Sequence, residues 1–335
     1  MQQKNPIPGI FVILLDVIAI CILLVVFALF HHGLPREDSG INQQLVFGSI
    51  SPIAAIPSAT PEQIETSMLD STLSPSTEPS PTPVPQPGDF SATFPDYDTS
   101  AGIDALFSYQ DDDKRIVVYN GKVDDATYYV ADVWIRNILF YKTAFAKGTF
   151  ARYVADTTVN IAQENGAIVA ISGDYYGARN SGFVVRNGVL YRDSVSSDVC
   201  VLYADGTMES YYQNQFDVEA AIDRGAYQSW CFGPKLLDNG KIPDSYRLND
   251  ISNRHPRAAI GYFEPGHYCL VVIDGRQGDY SRGMTFEQMS RLFISLGCVD
   301  AYNLDGGQTA VMVFQGEIVN RPYNNGRPVS DIIYF

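Results

Sequence analysis

The chain has 335 residues, of which 46% are hydrophobic, so it is long enough to form one large folded domain or two smaller ones. Its formal net charge is −15 at pH 7, from 38 acidic and 23 basic residues. Because nucleic-acid binding needs a surplus of Lys and Arg, this charge excludes a general nucleic-acid-binding protein. An anionic substrate remains compatible with a site that concentrates its arginines.

Residues 10–30 form an almost unbroken apolar run whose one charged residue is Asp16. About 20 apolar residues are enough for a helix to cross a bilayer, and the run is too long for an ordinary cleaved signal peptide. Lys4 precedes the run and acidic residues follow Arg36, which favours a cytoplasmic N-terminus. The sequence therefore predicts a transmembrane signal-anchor at residues 1–32, with the rest of the chain outside the cytoplasm. A buried core helix is the alternative interpretation.

The following segment, residues 33–100, lacks hydrophobic periodicity and contains a run of Pro, Ser and Thr at residues 74–87. Such a composition cannot bury a core, so we expect a disordered stalk. Residues 101–335 are then the folded domain.

In the domain, short apolar runs bounded by turn residues predict strands. They are residues 115–119, 127–135, 167–172, 182–186, 199–203, 258–262, 268–274, 300–304, 310–314 and 330–334. Two helices are also predicted, at residues 157–165 with Gly166 as C-terminal cap, and from Thr285, with Gln288 completing a capping box, to Gly297. Strands outnumber helices without alternating regularly with them, so the fold class is α+β, a mixed sheet with packed helices.

Cysteine usage gives no metal signal, because no CxxC spacing or His/Cys cluster is present. Cys200, Cys231, Cys269 and Cys298 follow the apolar segment, and two of them lie in or beside strand-like runs. We expect two or more of the four to be free and buried.

Four segments at predicted strand ends carry unusual combinations of residues. They are residues 172–177, Ser-Gly-Asp-Tyr-Tyr-Gly; residues 254–257, Arg-His-Pro-Arg; residues 274–276, Asp-Gly-Arg; and residues 303–310, Asn-Leu-Asp-Gly-Gly-Gln-Thr-Ala. Each is also consistent with an ordinary turn, a solvated loop or a structural salt bridge. The basic segment could bind an anion, and the double glycine permits a close backbone approach to a ligand.

Taken in order, these segments resemble the phosphodiester glycosidase family. The resemblance also includes Gly182, the segments at residues 187–188, 232–236 and 239–241, Gly283-Met284-Thr285, and Arg327 before the last strand. It extends over roughly residues 102–335. Two segments depart from the family pattern: Ser172 and Asp174 stand within a segment that is usually Asn-Gly-Gly-Phe-Phe, and Thr309 replaces a usual Ser.

The resemblance implies hydrolysis of sugar-1-phosphodiesters at the anomeric carbon. Arg257 and Arg276 are then candidates to bind the phosphate, and Asp305 and Asp174 to be the catalytic carboxylates. Asp274 is a further candidate, to orient Arg276. The expected substrate-binding groups are Gly306, Gly307, Thr309, Asn303, Tyr175, His255 and Arg327. No cofactor is expected; a divalent cation is compatible with these carboxylates, although no ligand spacing requires one.

The expected partners are a sugar phosphodiester or a surface polysaccharide, and the membrane through the N-terminal helix. Two other functions stay open at this point. One is a non-catalytic carbohydrate-binding domain, motivated by the changed residues at 172–174. The other is a glycosyl-phosphate transferase that passes the sugar to an acceptor other than water.

Overall fold

The computed structural model describes residues 18, 20–24, 36–37, 41–45, 88–246 and 253–335. Its strands are, in chain order, β1 (Arg36–Glu37), β2 (Gln43–Gln44), β3 (Ala105–Gln110), β4 (Lys114–Val123), β5 (Ala126–Ile135), β6 (Lys142–Phe145), β7 (Ala151–Arg152), β8 (Val169–Ser172), β9 (Phe183–Arg186), β10 (Val189–Asp193), β11 (Val199–Tyr203), β12 (Met208–Tyr211), β13 (Ala226–Trp230), β14 (Lys235–Leu237), β15 (Arg257–Glu264), β16 (His267–Ile273), β17 (Asp300–Asn303), β18 (Met312–Phe314), β19 (Glu317–Ile318) and β20 (Asp331–Tyr334). The α-helices are α1 (Thr158–Glu164), α2 (Val218–Asp223) and α3 (Phe286–Leu296).

The largest sheet has seven antiparallel strands in the order β14-β17-β15-β16-β5-β4-β3. A second sheet has the order β19-β18-β8-β20-β6, and two three-stranded sheets have the orders β12-β11-β13 and β2-β10-β9. The main core lies between these layers. Val118, Val133 and Leu270 of the large sheet share it with Ile171 and Ile333 of the five-stranded sheet. The fold is thus a sheet-rich α+β structure with few helices, as predicted, and the strand pairings of its two largest sheets are antiparallel.

Helix α3 packs on the other face of the large sheet. Phe286, Met289 and Phe293 are buried against Val271 and Ile273 of β16. The helix begins with the predicted capping box between Thr285 and Gln288 and ends at Gly297, which has a φ of 90°. This left-handed conformation costs glycine little, which explains why the helix stops there.

The predicted elements of the domain are confirmed, each with boundaries within a few residues of those observed. Sequence reasoning missed helix α2 and the strands β3, β6, β7, β10, β12, β13, β14 and β19. Most of these are short or lie in segments with little alternation, where the pairing partners determine the strand.

Parts of the expected stalk lie against the domain. β1 pairs with β7, and β2 pairs with β10. Leu45, Phe90 and Phe94 are each buried. These residues therefore do not behave as the disordered spacer expected for residues 33–100. The Pro-rich run at residues 74–87 lies outside the described residues, and the boundary of the domain stays a prediction.

The predicted membrane span falls mostly on residues that the structure does not describe. Residues 18 and 20–24 are helical and exposed. Within the part of the chain that is described, no helix is both long enough and apolar enough to cross a membrane.

Cys200, Cys231, Cys269 and Cys298 are all free and buried, as the sequence predicts for at least two of them. The sulfur atoms of Cys269 and Cys298 lie 3.7 Å apart where α3 meets the large sheet.

Candidate active site

The four segments singled out in the sequence meet where β8, β16 and β17 end and β15 begins. Strand β15 is antiparallel to both β16 and β17, so its first residues lie beside the last residues of its neighbours. Asp305 then joins the two sheets, because its amide donates to the Gly173 carbonyl at 3.2 Å and its carbonyl accepts from the Ser172 hydroxyl at 3.1 Å. The sheet pairing thus brings residues 172–174, 255–257, 274–276 and 303–309 together.

A small pocket of about 140 Å³ opens at this junction. Its lining consists of Phe232, His255, Pro256, Arg257, Arg276, Leu304, Asp305, Gly306 and Gly307. Of the three carboxylates predicted to act in catalysis, only Asp305 is part of this lining.

Asp305 is 7% exposed. Burial raises its pKa to about 6, against the opposing effects of the Arg327 guanidinium and the Thr309 hydroxyl. Arg327 Nη2 lies 3.0 Å from Asp305 Oδ2. The carboxylate is therefore held by one arginine, and it changes its protonation state close to neutral pH.

Two arginines and a histidine line the other side of the pocket. Arg257 is buried, donates to the carbonyls of Met284 and Asn253 at 3.2 and 2.9 Å, and packs over the Phe286 ring. Burial, and secondarily the neighbouring Arg276, lowers the pKa of Arg257 to about 9. It remains a cation at neutral pH.

Arg276 and His255 meet at the rim, where Arg276 Nη2 lies 3.4 Å from His255 Nδ1. Burial, together with the positive charges of Arg257 and Arg276, lowers the pKa of His255. The imidazole is thus neutral at pH 7. The repulsion between like charges here is relieved when an anion enters the pocket.

Aromatic rings and a fourth arginine form the outer edge. The guanidinium carbons of Arg327 and Arg179 lie 5.4 and 5.9 Å from the centre of the Tyr175 ring, and that of Arg179 lies 5.1 Å from the centre of Phe232. Arg179 also lowers the pKa of Asp305. Four arginines therefore line or border the pocket that contains Asp305, in a chain whose formal net charge is −15.

Asp174, which was also predicted to be a catalytic carboxylate, does not line the pocket. Its two oxygens accept from the backbone amides of Tyr175 and Cys231 at 2.6 and 2.8 Å, and its own amide donates to Asp331 at 2.8 Å. Arg186, which is buried, lies 2.8 Å from Asp331 and 3.9 Å from Asp174. In this arrangement Asp174 ties the end of β8 to the loop that carries Phe232, and its catalytic role stays a prediction.

Asp274 is also held by structural hydrogen bonds. Its carboxylate accepts from the Asn320 side chain, the Tyr280 hydroxyl and the Arg321 amide at 2.7–2.9 Å. Burial raises its pKa. These bonds attach β16 to the segment after β19, so the observed partners of Asp274 differ from the Arg276 partner expected from the sequence.

At Gly306 and Gly307 the backbone lies close to that of Pro256. A Cβ added at Gly306 would lie 2.8 Å from the Pro256 carbonyl oxygen, and Gly307 has a φ of 68°. The Gly307 amide donates to that same carbonyl at 2.9 Å, so it is already used. The buried Thr309 hydroxyl donates to the Gly306 carbonyl at 2.7 Å and shapes this turn.

Asn303 does not line the pocket, although the next residue, Leu304, does. Its side-chain amide donates to the Gly233 carbonyl at 2.7 Å, and within the described residues its buried Oδ1 has no hydrogen-bond partner. It therefore positions the loop at residues 232–234, next to which the substrate is expected. The substrate-binding roles of these residues stay predictions.

Two site residues were missed from the sequence, Arg179 and Phe232. The Phe232-Gly233-Pro234 segment and the position of Arg179 after residues 172–177 were visible signals. Their convergence on Tyr175 depends on tertiary contacts.

No metal centre is evident in the described parts of the chain, since no three His, Cys, Asp or Glu side chains there are grouped to hold an ion.

Comparison with known proteins identifies the family of the chain. A family model described as phosphodiester glycosidase matches residues 165–335. The SPbeta prophage-derived uncharacterized protein YomE of Bacillus subtilis is 33% identical over 177 residues, which cover 49% of this chain and 27% of YomE. The chain thus spans only about a quarter of the length of that relative.

Among solved structures, the catalytic domain of zebrafish N-acetylglucosamine-1-phosphodiester alpha-N-acetylglucosaminidase, auto-inhibited by its pro-peptide, has a similar fold. The TM-score is 0.54 with 17% identity, covering 66% of this chain and 82% of that one. A hypothetical protein from Synechocystis gives a TM-score of 0.48 with 15% identity over 69% of this chain and 64% of that one.

Proposed function

Because this chain belongs to the phosphodiester glycosidase family, we propose that its folded domain hydrolyses sugar-1-phosphodiester bonds. The observation that supports this most directly is the buried Asp305 carboxylate at the edge of a pocket lined by Arg257 and Arg276. A phosphodiester supplies the two features that such a pocket can recognise, a negative charge and an electrophilic anomeric carbon.

The roles follow from the charges. Arg257 and Arg276 bind the phosphate and stabilise the charge that develops on it as the anomeric carbon–oxygen bond breaks. The departing phosphate is a good leaving group, so a strong general acid is less necessary than in ordinary glycoside hydrolysis. Asp305, ionised above about pH 6, activates the water or stabilises the oxocarbenium ion.

The test is turnover of a synthetic N-acetylglucosamine-1-phosphodiester by the full chain in detergent. Asp305→Asn and Arg257→Ala each remove a proposed group, and we expect roughly 100- to 1,000-fold losses of kcat/KM. Because Arg257 is buried, Arg276→Ala provides a second, exposed arginine variant. Arg291→Ala, which removes an exposed arginine on α3 that does not line the pocket, is the control.

Product analysis separates the alternatives. Free sugar and a phosphomonoester are the expected products, with and without an added glycan acceptor. Sugar transferred to the acceptor would identify a transferase. Binding without turnover would identify a carbohydrate-binding domain, and full activity of Asp305→Asn would refute the proposed role of that residue.

We also propose that residues 10–30 anchor the chain in a membrane with the domain outside the cytoplasm. The length of the apolar run and the charges that flank it support this topology. The domain would then act on exported phosphodiester-linked sugars such as those of surface polysaccharides. Protease added to intact cells should remove a C-terminal tag and leave an N-terminal tag protected; the reverse pattern would refute this topology.

A further inference from the structure

A second and larger cavity, of about 560 Å³, lies at the opposite end of β17 from Asp305. Residues of β12, β14 and β15 and the start of β17 line it. The lining residues are Thr207, Met208, Glu209, Ser210, Tyr211, Gln215, Lys235, Asp238, Asn239, Tyr262, Phe263, Glu264, Val299 and Asp300. The proposed catalytic reaction uses none of them.

Two ionisable side chains of the lining are almost fully buried. Asp300 is 5% exposed and accepts from the Ser210 hydroxyl at 2.8 Å and from the Ser210 amide at 3.2 Å. Lys235 is 4% exposed, and its ammonium lies 2.7 Å from Asp238 and 4.3 Å from the centre of the Tyr212 ring. Burying such groups is costly. The position of Asp300 and Lys235 in the wall of a cavity indicates that the cavity binds a polar ligand.

The charge of the lining defines the ligand. Glu209 pairs with Arg224 and Asp238 with Lys235, each at 2.7 Å, while burial raises the pKa of Asp300 to about 8, so that its carboxyl is neutral at pH 7. An anionic ligand such as a phosphate would meet the Glu264 carboxylate and a lysine that is already paired. A neutral ligand with many hydroxyl groups would find both hydrogen-bond donors and acceptors on the walls.

Aromatic rings complete the lining. Tyr211, Tyr262 and Phe263 border the cavity. Phe263 is held in place because its ring stacks on His267 with centroids 4.0 Å apart, and His267 stacks in turn on Trp134 at 3.7 Å. Pockets that combine aromatic faces with a few fixed polar groups orient small polar ligands well. Sugar rings present both an apolar face and hydroxyls.

The cavity and the catalytic pocket are close in the chain. A smaller cavity of about 100 Å³ shares Phe232 with the catalytic pocket, and its Pro234 directly precedes Lys235 of the larger cavity. Along β17, Asp300 and Asp305 are five positions apart, or at most about 17 Å in an extended chain. A few sugar units in a row span such a distance.

We propose that the cavity at Asp300 and Lys235 binds a neutral, non-phosphorylated part of a saccharide chain whose phosphodiester lies at Asp305. This inference rests on the proposed function for the choice of a saccharide. It makes the substrate a polymer or long oligosaccharide rather than a small sugar phosphodiester.

The test is calorimetric titration of the full chain, in detergent, with N-acetylglucosamine oligomers of one to six units. Val299→Trp fills the cavity from an exposed position, and Gln215→Trp does so from another wall. Val123→Trp is the matched control, since Val123 and Val299 are 42% and 39% exposed and Val123 does not line the cavity.

We expect affinity to rise at least tenfold from the monomer to the hexamer. Either cavity-filling variant should remove that gain, and the control should keep it. An oligogalacturonate of matched length should bind at least tenfold more weakly, because its carboxylates meet those of the lining. Absence of a length dependence, or equal binding by a folded cavity-filling variant, would overturn the proposal.

The probe separates this proposal from the proposed function. The oligomers contain no phosphodiester, so their binding is measured without hydrolysis. Binding of the oligomers together with absent turnover would count against the proposed hydrolysis alone. Turnover without oligomer binding would count only against saccharide binding in the cavity at Asp300 and Lys235.

Discussion

Two opposing effects determine the pKa of the Asp305 carboxyl group. Burial raises its pKa to about 6, and the Arg327 guanidinium at 3.0 Å lowers it. A carboxylate that must be ionised to act therefore loses its function as the pH falls below about 6. The partner that opposes burial lies on the segment just before the last strand, far from Asp305 in sequence.

The acid limb of the pH profile tests this balance. In the wild type, kcat/KM should fall as the pH drops through about 6, because protonated Asp305 is inactive. Arg327→Gln removes the cation that lowers the pKa of Asp305, so the acid limb should move to higher pH. An acid limb that stays in place in this variant would show that Asp305 does not control it.

Asp300 should make the fold less stable as the pH rises. Burial raises its pKa from 3.8 to about 8. The unfolded chain then loses this proton near pH 4, while the folded chain keeps it to about pH 8. Stability contributed by the neutral form is therefore intact below pH 4 and lost progressively between about pH 4 and 8, at about 1.4 kcal/mol for each pH unit.

Asp300→Asn should reduce the loss of folding stability between about pH 4 and 8. An asparagine can accept from the Ser210 amide and donate to the Ser210 hydroxyl, which can in turn donate to Leu237. Chemical denaturation at pH 5 and pH 8 should show a smaller difference in the free energy of unfolding than in the wild type. Asp238→Asn is the control, since Lys235 lowers the pKa of Asp238 and its effect has the opposite sign. An equal pH dependence in wild type and Asp300→Asn would contradict the assignment.

At the scale of elements, the loop between β16 and α3 fixes the basic segment at residues 255–257. Met284 and His255 exchange backbone hydrogen bonds at 3.1 and 3.3 Å. Gly283, with a φ of 87°, leaves so little room that a Cβ would lie 2.3 Å from the His255 oxygen. The position of Arg257 therefore depends on a glycine that contributes no side chain.

Gly283→Ala should weaken both stability and turnover. The left-handed backbone and the clash with His255 predict a loss of roughly 1–3 kcal/mol and a displaced Arg257. Gly278→Ala is the control in the same loop, because an added Cβ there meets nothing within 4 Å. Thermal unfolding and kcat/KM measure the two effects. Equal behaviour of the two variants would show that the close approach at Gly283 is unimportant.

The elements also show where sequence signals are sufficient. Helix α3 was predictable because its signals are local: a capping box, an apolar face and a terminal glycine. Strands β12 and β14 were missed because each has only four or three residues and is defined by its neighbours. These two strands line the cavity at Asp300, so that cavity could not be predicted from the sequence.

On the scale of the whole molecule, the distribution of charge matters more than its sum. The chain carries −15 formal charges, yet Arg179, Arg257, Arg276 and Arg327 gather around one pocket. Their field attracts an anionic substrate locally and is screened by salt over about 8 Å at physiological ionic strength.

The KM for the phosphodiester should therefore rise with ionic strength between about 0.05 and 0.5 M. Binding of the uncharged N-acetylglucosamine hexamer should change little over the same range, because it depends on hydrogen bonds and ring contacts. Steady-state kinetics and calorimetry provide the two measurements. A KM that is independent of salt would argue against arginine recognition of the phosphate.

The sequence by itself determined the features that depend on neighbouring residues. These are the apolar run at residues 10–30, the two capped helices and the longer strands. They also include the segments around Asp174, Arg257, Asp274 and Asp305, whose order along the chain indicated the family. Periodicity, capping and turn chemistry act over a few residues, so they can be read along the chain.

Only the tertiary structure decided which of those charged groups face one another. It placed Asp305 in the pocket with Arg257 and Arg276. The carboxylates of Asp174 and Asp274 instead accept hydrogen bonds from backbone and side-chain groups outside the pocket lining. All three aspartates follow strand-like runs and look alike in the sequence. Their partners come from strands distant in sequence, and the pairing of those strands determines whether a carboxylate meets a pocket or a buried amide.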